Sequence, residues 1–270
     1  MKVMILGKAT QDTEDSAPPD AKALEAMHNY NEALIAAGIL QDQILGGLKP
    51  TRFAKRVHFS GKTRTVIDGP FAETKELVAG FAMWEVKSIE DAVDWVSKSP
   101  MTMECDVDIR PLEGVAAWDQ LDDKAAGGPD NRAALTAAAS TPNRRRAMQV
   151  MVFVKATQDS ENEVPPDPKM INAMHQYNEA LIAAGILKGQ VLGGLKPTRH
   201  AKRVHFSGEK RTVIDGPFAE TKELIAGFWL WEVQSIEEAV EWVMKCPNPM
   251  LTDSDIDIRP LYSPETWDPV

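Results

Sequence analysis

The chain carries one stretch twice. Residues 64–77 read RTVIDGPFAETKEL, and residues 211–224 repeat it letter for letter. The correspondence extends far beyond that stretch. Met1 matches Met148, His28 matches His175, Asp68 matches Asp215 and Pro100 matches Pro247, each 147 positions on; at Arg110 and Arg259 the offset is 149. Units of this length are domains, because solenoid repeats have periods of roughly 20–50 residues. The sequence therefore divides into a first repeat over 1–113, a linker over 114–147, a second repeat over 148–262 and a tail over 263–270.

Within a repeat the hydrophobic pattern alternates between strand and helix periods. Lys2 to Ala9 is an apolar strand. TQDTEDSAPPD at 10–20 holds two prolines and predicts a loop. Asp20 is an N-cap for a helix to Ala37, with Leu24, Met27, Leu34 and Ile35 at helical spacing and Gly38 as its stop. Residues 39–48 predict a weak strand. Residues 54–60 and 64–67, joined through Ser60-Gly61-Lys62, predict a hairpin. Residues 77–86 form a central strand, Ser88 caps a helix over 89–98, and 105–112 close as a strand. The order β-α-β, hairpin, β-α-β is a ferredoxin-like α+β unit with an inserted hairpin. Two helices cover only one face of such a sheet. Two sheets facing each other would cover the other, so the repeats are expected to pack as an intrachain pseudo-dimer; whether chains assemble further stays open.

Composition narrows the function. The net charge of −10 argues against a nucleic-acid-binding surface. No stretch reaches the ~20 apolar residues that span a bilayer, and the apolar start Met1–Leu6 is too short for a signal peptide. Cys105 and Cys246 do not correspond in the repeat and read as free thiols of a cytoplasmic protein. Arg144-Arg145-Arg146 in the linker reads either as a solvated segment or as an anion patch.

The residue pair that could carry chemistry is His28 with Asp68, repeated as His175 with Asp215. His28 borders the apolar stripe of the first helix, three residues before Asn31, and Asp68 ends a strand. A carboxylate against an imidazole fixes its tautomer and makes it a general base or acid. The plainer reading is a structural histidine and an Asp that serves the Gly-Pro turn. Trp84, Trp229 and Trp231 on the long strands either pack the core or line an apolar pocket beside the pair, with Asn31 and Asn178 at its border. Ala82 in place of Trp229 predicts a roomier first pocket. Glu73, Lys75 and Glu76, matched by Glu220, Lys222 and Glu223, read as a short solvated helix or as a contact for an anionic substrate. Arg52, Lys55, Arg56 and His58, matched by Arg199, His200, Lys202, Arg203 and His205, read as a charged strand edge on the surface. No cluster has the spacing of a zinc or iron site, and no Gly-rich phosphate loop is present, so neither metal nor cofactor is implied.

The segments KATQDSE (155–161), YNEALIAAGIL (177–187), RVHFSG (203–208), TVIDGPFAETKELIAGFWLWEV (212–233), EEAVEW (237–242), CPNP (246–249) and DIDIRPL (255–261) resemble the YCII-related (YciI-like, DGPF-type) family. The first repeat departs from the pattern at Ala82-Met83 and reads SPMT at 99–102 in place of CPNP. The resemblance implies a dimeric α+β barrel fold and a His–Asp active site, which falls on His28 and His175 with Asp68 and Asp215. It brings in relatives resembling muconolactone isomerase and dehydrochlorinases. Some members lie beside genes for extracytoplasmic-function sigma factors, which implies regulation or stress response. Two expectations follow. One is an enzyme that abstracts a proton on a small carbonyl or aromatic-derived acid, leading to isomerisation or elimination. The other is a non-catalytic small-molecule-binding or regulatory module.

Overall fold

A computed structural model describes residues 1–16, 20–40, 44–71, 77–113, 148–218 and 224–263. The linker, most of the tail and the charged segments after the two Asp-Gly-Pro-Phe turns lie outside those residues.

The first repeat runs β1 (Lys2–Lys8), α1 (Gln11–Glu14), α2 (Ala21–Ala36), β2 (Leu45–Gly47), β3 (Lys55–Ser60), β4 (Thr63–Asp68), β5 (Val78–Glu85), α3 (Ile89–Ser97) and β6 (Cys105–Pro111). The second runs β7 (Met148–Lys155), α4 (Gln158–Glu161), α5 (Pro168–Ala183), β8 (Leu187–Gly194), β9 (Lys202–Ser207), β10 (Lys210–Asp215), β11 (Ile225–Val233), α6 (Ile236–Lys245) and β12 (Ser254–Pro260). A 3-10 turn precedes each hairpin, at Thr51–Phe53 and Thr198–His200.

Local chemistry sets these limits. Asp20 and Asp167 cap α2 and α5 by accepting from the backbone of Lys22 and Lys169. Gly38 and Gly185 then adopt the left-handed conformation that ends each helix. The segment read as a loop over 10–20 opens with a one-turn helix. Thr10 and Thr13 close a reciprocal capping box around α1, and Thr157 and Ser160 do the same around α4. The loop-like composition hid these turns because they are too short to show a hydrophobic period.

Both sheets are antiparallel and six-stranded. One has the order β10-β9-β6-β1-β5-β2 and the other β4-β3-β12-β7-β11-β8. Four successive strands of each, β6-β1-β5-β2 and β12-β7-β11-β8, make the ferredoxin-like unit expected from the pattern. The hairpins do not stay with their own repeat. The β3–β4 hairpin of the first repeat extends the second repeat's sheet at β12, and β9–β10 extends the first repeat's sheet at β6. The local pattern does not decide this, because the two acceptor strands, CDVDIRP and SDIDIRP, offer a hairpin nearly the same surface.

Each sheet buries both faces. Val3, Ile5, Val107 and Ile109 pack beneath α2 and α3 with Leu34, Val96, Trp84 and the incoming Val204 and Phe206. Their counterparts Val150, Val152, Ile256 and Ile258 pack beneath α5 and α6 with Leu181, Val243, Trp231 and the incoming Val57 and Phe59. The opposite faces meet in a third cluster that draws on both repeats: Met4, Leu6 and Phe81 with Met151, Phe153 and Phe228. Main-chain bonds join the repeats there, from Lys49 to Pro260 and from Lys196 to Pro111. Period-two alternation therefore gives β1 and β7 apolar side chains on both sides, which explains their unbroken hydrophobic runs.

Candidate active site

The duplicated Asp-Gly-Pro-Phe turn is the place to build from. Asp215 ends β10 opposite Lys202, and its Oδ1 accepts from Lys202 Nζ at 2.7 Å; Asp68 and Lys55 repeat the contact at 2.7 Å. A side chain on Gly216 would place its Cβ 1.7 Å from the Thr198 carbonyl oxygen, so only glycine fits. The Gly216–Pro217 bond is cis. Phe218 then lies flat against the Arg203 guanidinium, 4.3 Å away, as Phe71 does against Arg56 at 4.4 Å. The turn is a bracket for an arginine.

That arginine sits on the face of its sheet away from the helices, where charge would not be expected. Arg203 donates through Nε and Nη2 to both oxygens of Asp108, at 2.5 and 3.0 Å. Lys8 Nζ is 3.1 Å from the same carboxylate. Asp108 and Arg110 are each 1% exposed. Arg110 Nη2 donates to the Lys196 carbonyl at 2.7 Å and lies 3.9 Å from Glu161. Glu161 in turn accepts from the backbone and hydroxyl of Thr198, held in place by the capping box of α4. The second copy repeats the network with Arg56, Asp257, Lys155, Arg259, Glu14 and Thr51. Burial alone would raise the carboxyl groups of Asp108 and Asp257. The lysine charge and the arginine hydrogen bonds outweigh it and hold both below the usual carboxylate range.

Each network reaches solvent at a histidine. His205 on β9 stands directly across from Asp106 on β6, with Nδ1 2.7 Å from Oδ1. His58 and Asp255 pair in the same way, again at 2.7 Å. The other carboxylate oxygen faces the bracketed arginine, 3.7 Å from Arg203 in one copy and 3.9 Å from Arg56 in the other. A carboxylate only accepts, so Nδ1 carries the proton and Nε2 of the neutral ring presents its lone pair. The imidazoles are 35% and 40% exposed, so Nε2 is within reach of a small molecule. Every pair takes its histidine from one repeat and its aspartate from the other.

The four residues read as dyads are placed otherwise. His28 is exposed on α2, which covers the first repeat's sheet, whereas Asp68 sits on an outer strand of the other sheet and bonds Lys55. His175 is half-buried on α5, and Asp215 ends the outer strand of the opposite sheet. Trp84 and Trp231 are core residues beneath the helices. Trp229 is also buried, and its Nε1 donates to Asn178 Oδ1 at 3.0 Å. Asn31, half-buried, faces a repeat that has Ala82 where Trp229 would stand. An apolar cleft of about 190 Å³ lies on the Trp229 side, walled by Met170, Met174, Trp229, Leu192 and Met250. The basic segment read as a strand edge is internal: β3 lies between β4 and β12, and Arg56 is committed to Asp257. Glu73, Lys75, Glu76, Glu220, Lys222, Glu223 and Arg144–Arg146 lie outside the described residues. Among the described residues no group of His, Cys, Asp and Glu is arranged to hold a metal, and both cysteines are free thiols. Among the described residues, no helix is long and apolar enough to cross a membrane.

Sequence reading passed over Asp106, Asp108 and Arg110 with their counterparts. Their signal was present in DVDIRP and DIDIRP, where every second residue is charged. Alternation marks a closing strand but does not say whether a second sheet covers its polar face.

The family model of the YCII-related domain matches residues 1–113 and again 148–256. An uncharacterised protein of Rhizobium meliloti (strain 1021) is 38% identical over 100 residues, which covers 36% of this chain and 79% of that protein.

Proposed function

This chain belongs to the YCII-related domain family, and on that premise we propose that it is an acid–base enzyme with two composite active sites, built around His205 with Asp106 and His58 with Asp255. The observation that carries the reading is the 2.7 Å carboxylate–Nδ1 contact, made twice across the repeat boundary by partly exposed imidazoles. In this reading Nε2 removes a proton from a small carbonyl compound or aromatic-derived acid, and the protonated ring returns it in an isomerisation or elimination. Asp106 and Asp255 hold the ring and stabilise its charged form. Arg203 and Arg56 fix those carboxylates from the other side and join them to the buried network. No metal or cofactor has a part in it.

The direct test follows proton removal itself. Wild-type protein and variants are incubated in D2O with a panel of small keto acids and lactones, and deuterium entry at the acidic carbon is read by NMR. The expected result is exchange catalysed by wild type, lost in the His58→Gln/His205→Gln double variant and retained in His28→Ala/His175→Ala. The reverse pattern would move the chemistry to the helix histidines. Exchange that survives both double variants would sink histidine catalysis.

The cleft beside Trp229 favours a second reading, a module that binds a small apolar ligand and signals its presence. Ligand binding there, read by tryptophan fluorescence and untouched by loss of His28, His58, His175 and His205, would favour this reading.

A further inference from the structure

Among the described residues, nothing pairs with one side of the β4 main chain. It is the outer strand of its sheet, and its ladder with β3 runs without a bulge from Ser60 opposite Thr63 to Lys55 opposite Asp68. Gly61-Lys62 is a two-residue turn with Gly61 at φ +55, so Ser60 and Thr63 form the closing hydrogen-bonded pair. Antiparallel ladders alternate. Thr63, Thr65 and Ile67 therefore turn their N–H and C=O groups to β3, and Arg64, Val66 and Asp68 turn theirs outward. Val66 and Ile67 are each 42% exposed. Natural edge strands are usually blunted by a bulge, a proline or inward charge; this one has no bulge and no proline before Gly69-Pro70, and its one inward charge, Arg64, lies across the Phe59 ring at 4.3 Å.

We infer that β4 is a self-recognition surface that pairs antiparallel with β4 of a second copy of this chain, about a two-fold axis at Val66. The outward groups dictate that register. Val66 meets Val66 as a hydrogen-bonded pair, and Arg64 of each copy stands opposite Asp68 of the other. The strand is thus complementary to itself in charge as well as in main-chain pattern. Asp68 spends only Oδ1 on Lys55. The Arg64 guanidinium lies over the Phe59 ring at 4.3 Å, and its Nη1 makes long bonds to its own turn, 3.2 Å to Gly61 and 3.3 Å to Thr63. The equivalent edge on β10 has the same residues, but Arg211 is already committed, donating to the Met101 carbonyl at 2.7 Å. The β4 edge is therefore the one left open. A six-residue contact is smaller than the roughly 1,000 Å² of a stable interface, so the dimer is reversible and concentration-dependent.

The experiment is sedimentation velocity over a wide range of protein concentration, with circular dichroism and melting as controls. Wild type is expected to pass from monomer to dimer. Val66→Pro removes an outward donor and leaves the ladder to β3 intact, and it should hold the protein monomeric with an unchanged melt. Val66→Lys does the same without altering the backbone, should the proline disturb the hairpin. Arg64→Asp should weaken the dimer by about tenfold or more, and Arg64→Asp/Asp68→Arg should restore it. A wild type that stays monomeric throughout overturns the inference. So does a dimer that survives both changes at Val66, or one lost with Val213→Lys in place of Val66→Lys.

Discussion

At the scale of single residues, the duplicated motif is explained by contacts that a sequence does not display. Gly216 is glycine because a carbonyl oxygen occupies the place of a side chain, and Phe218 is aromatic because an arginine lies across it. The motif supports the network it touches, and Asp108 is that network's hub. Its carboxyl titrates below the usual range when folded and near ~3.9 when unfolded. The charged form therefore favours folding. The contribution is full above the unfolded value and disappears as pH falls through the folded one. Asp257 contributes with the same sign. Urea unfolding is expected to show this stability lost progressively as pH falls below about 4. Asp108→Asn at neutral pH should cost about 3–5 kcal/mol, because it removes the buried carboxylate that Lys8 and Arg203 share. An Asn variant within about 1 kcal/mol of wild type would mean that water reaches this network.

At the scale of elements, much was legible. The caps at Asp20 and Ser88, the stop at Gly38 and the hairpin turn at Gly61 are local chemistry, and their elements lie close to where the pattern puts them. The partner of the hairpin was not legible, since its neighbours β6 and β12 are near copies. The site was lost for the same reason. Without the exchange of hairpins, nothing in the sequence brings His58 to Asp255 or His205 to Asp106. Which histidine meets which aspartate depends on which sheet takes which strand. The exchange makes a directional prediction. Phe206 belongs to the second repeat by sequence and to the first repeat's core by contact, alongside Val3 and Trp84. Phe206→Ala should cost about 3–5 kcal/mol. In hydrogen exchange it should loosen β1 and β6 before β7 and β12. Loss of protection centred on β7 and β12 would place the hairpin back on its own sheet.

For the whole molecule, the exchange means that neither repeat completes a sheet alone. The first repeat lacks the strand that covers β6, and the second lacks the one that covers β12. Each composite site is divided along the same line, because Arg203 and Asp108 come from different repeats. The covalent link between repeats then matters for finding the partner and little for holding it. A protease site introduced at about the middle of the 114–147 segment tests this: after cleavage the two fragments should co-elute on gel filtration and melt in one transition. Histidine-dependent exchange of deuterium should persist in the cut protein if the composite sites are its source. Once the fragments are separated in denaturant and refolded apart, each should lose the heteromeric pairing. Remixing them before refolding should recover it. Fragments that separate after cleavage without denaturant would show that each repeat keeps its own hairpin, and with that both composite sites would fall.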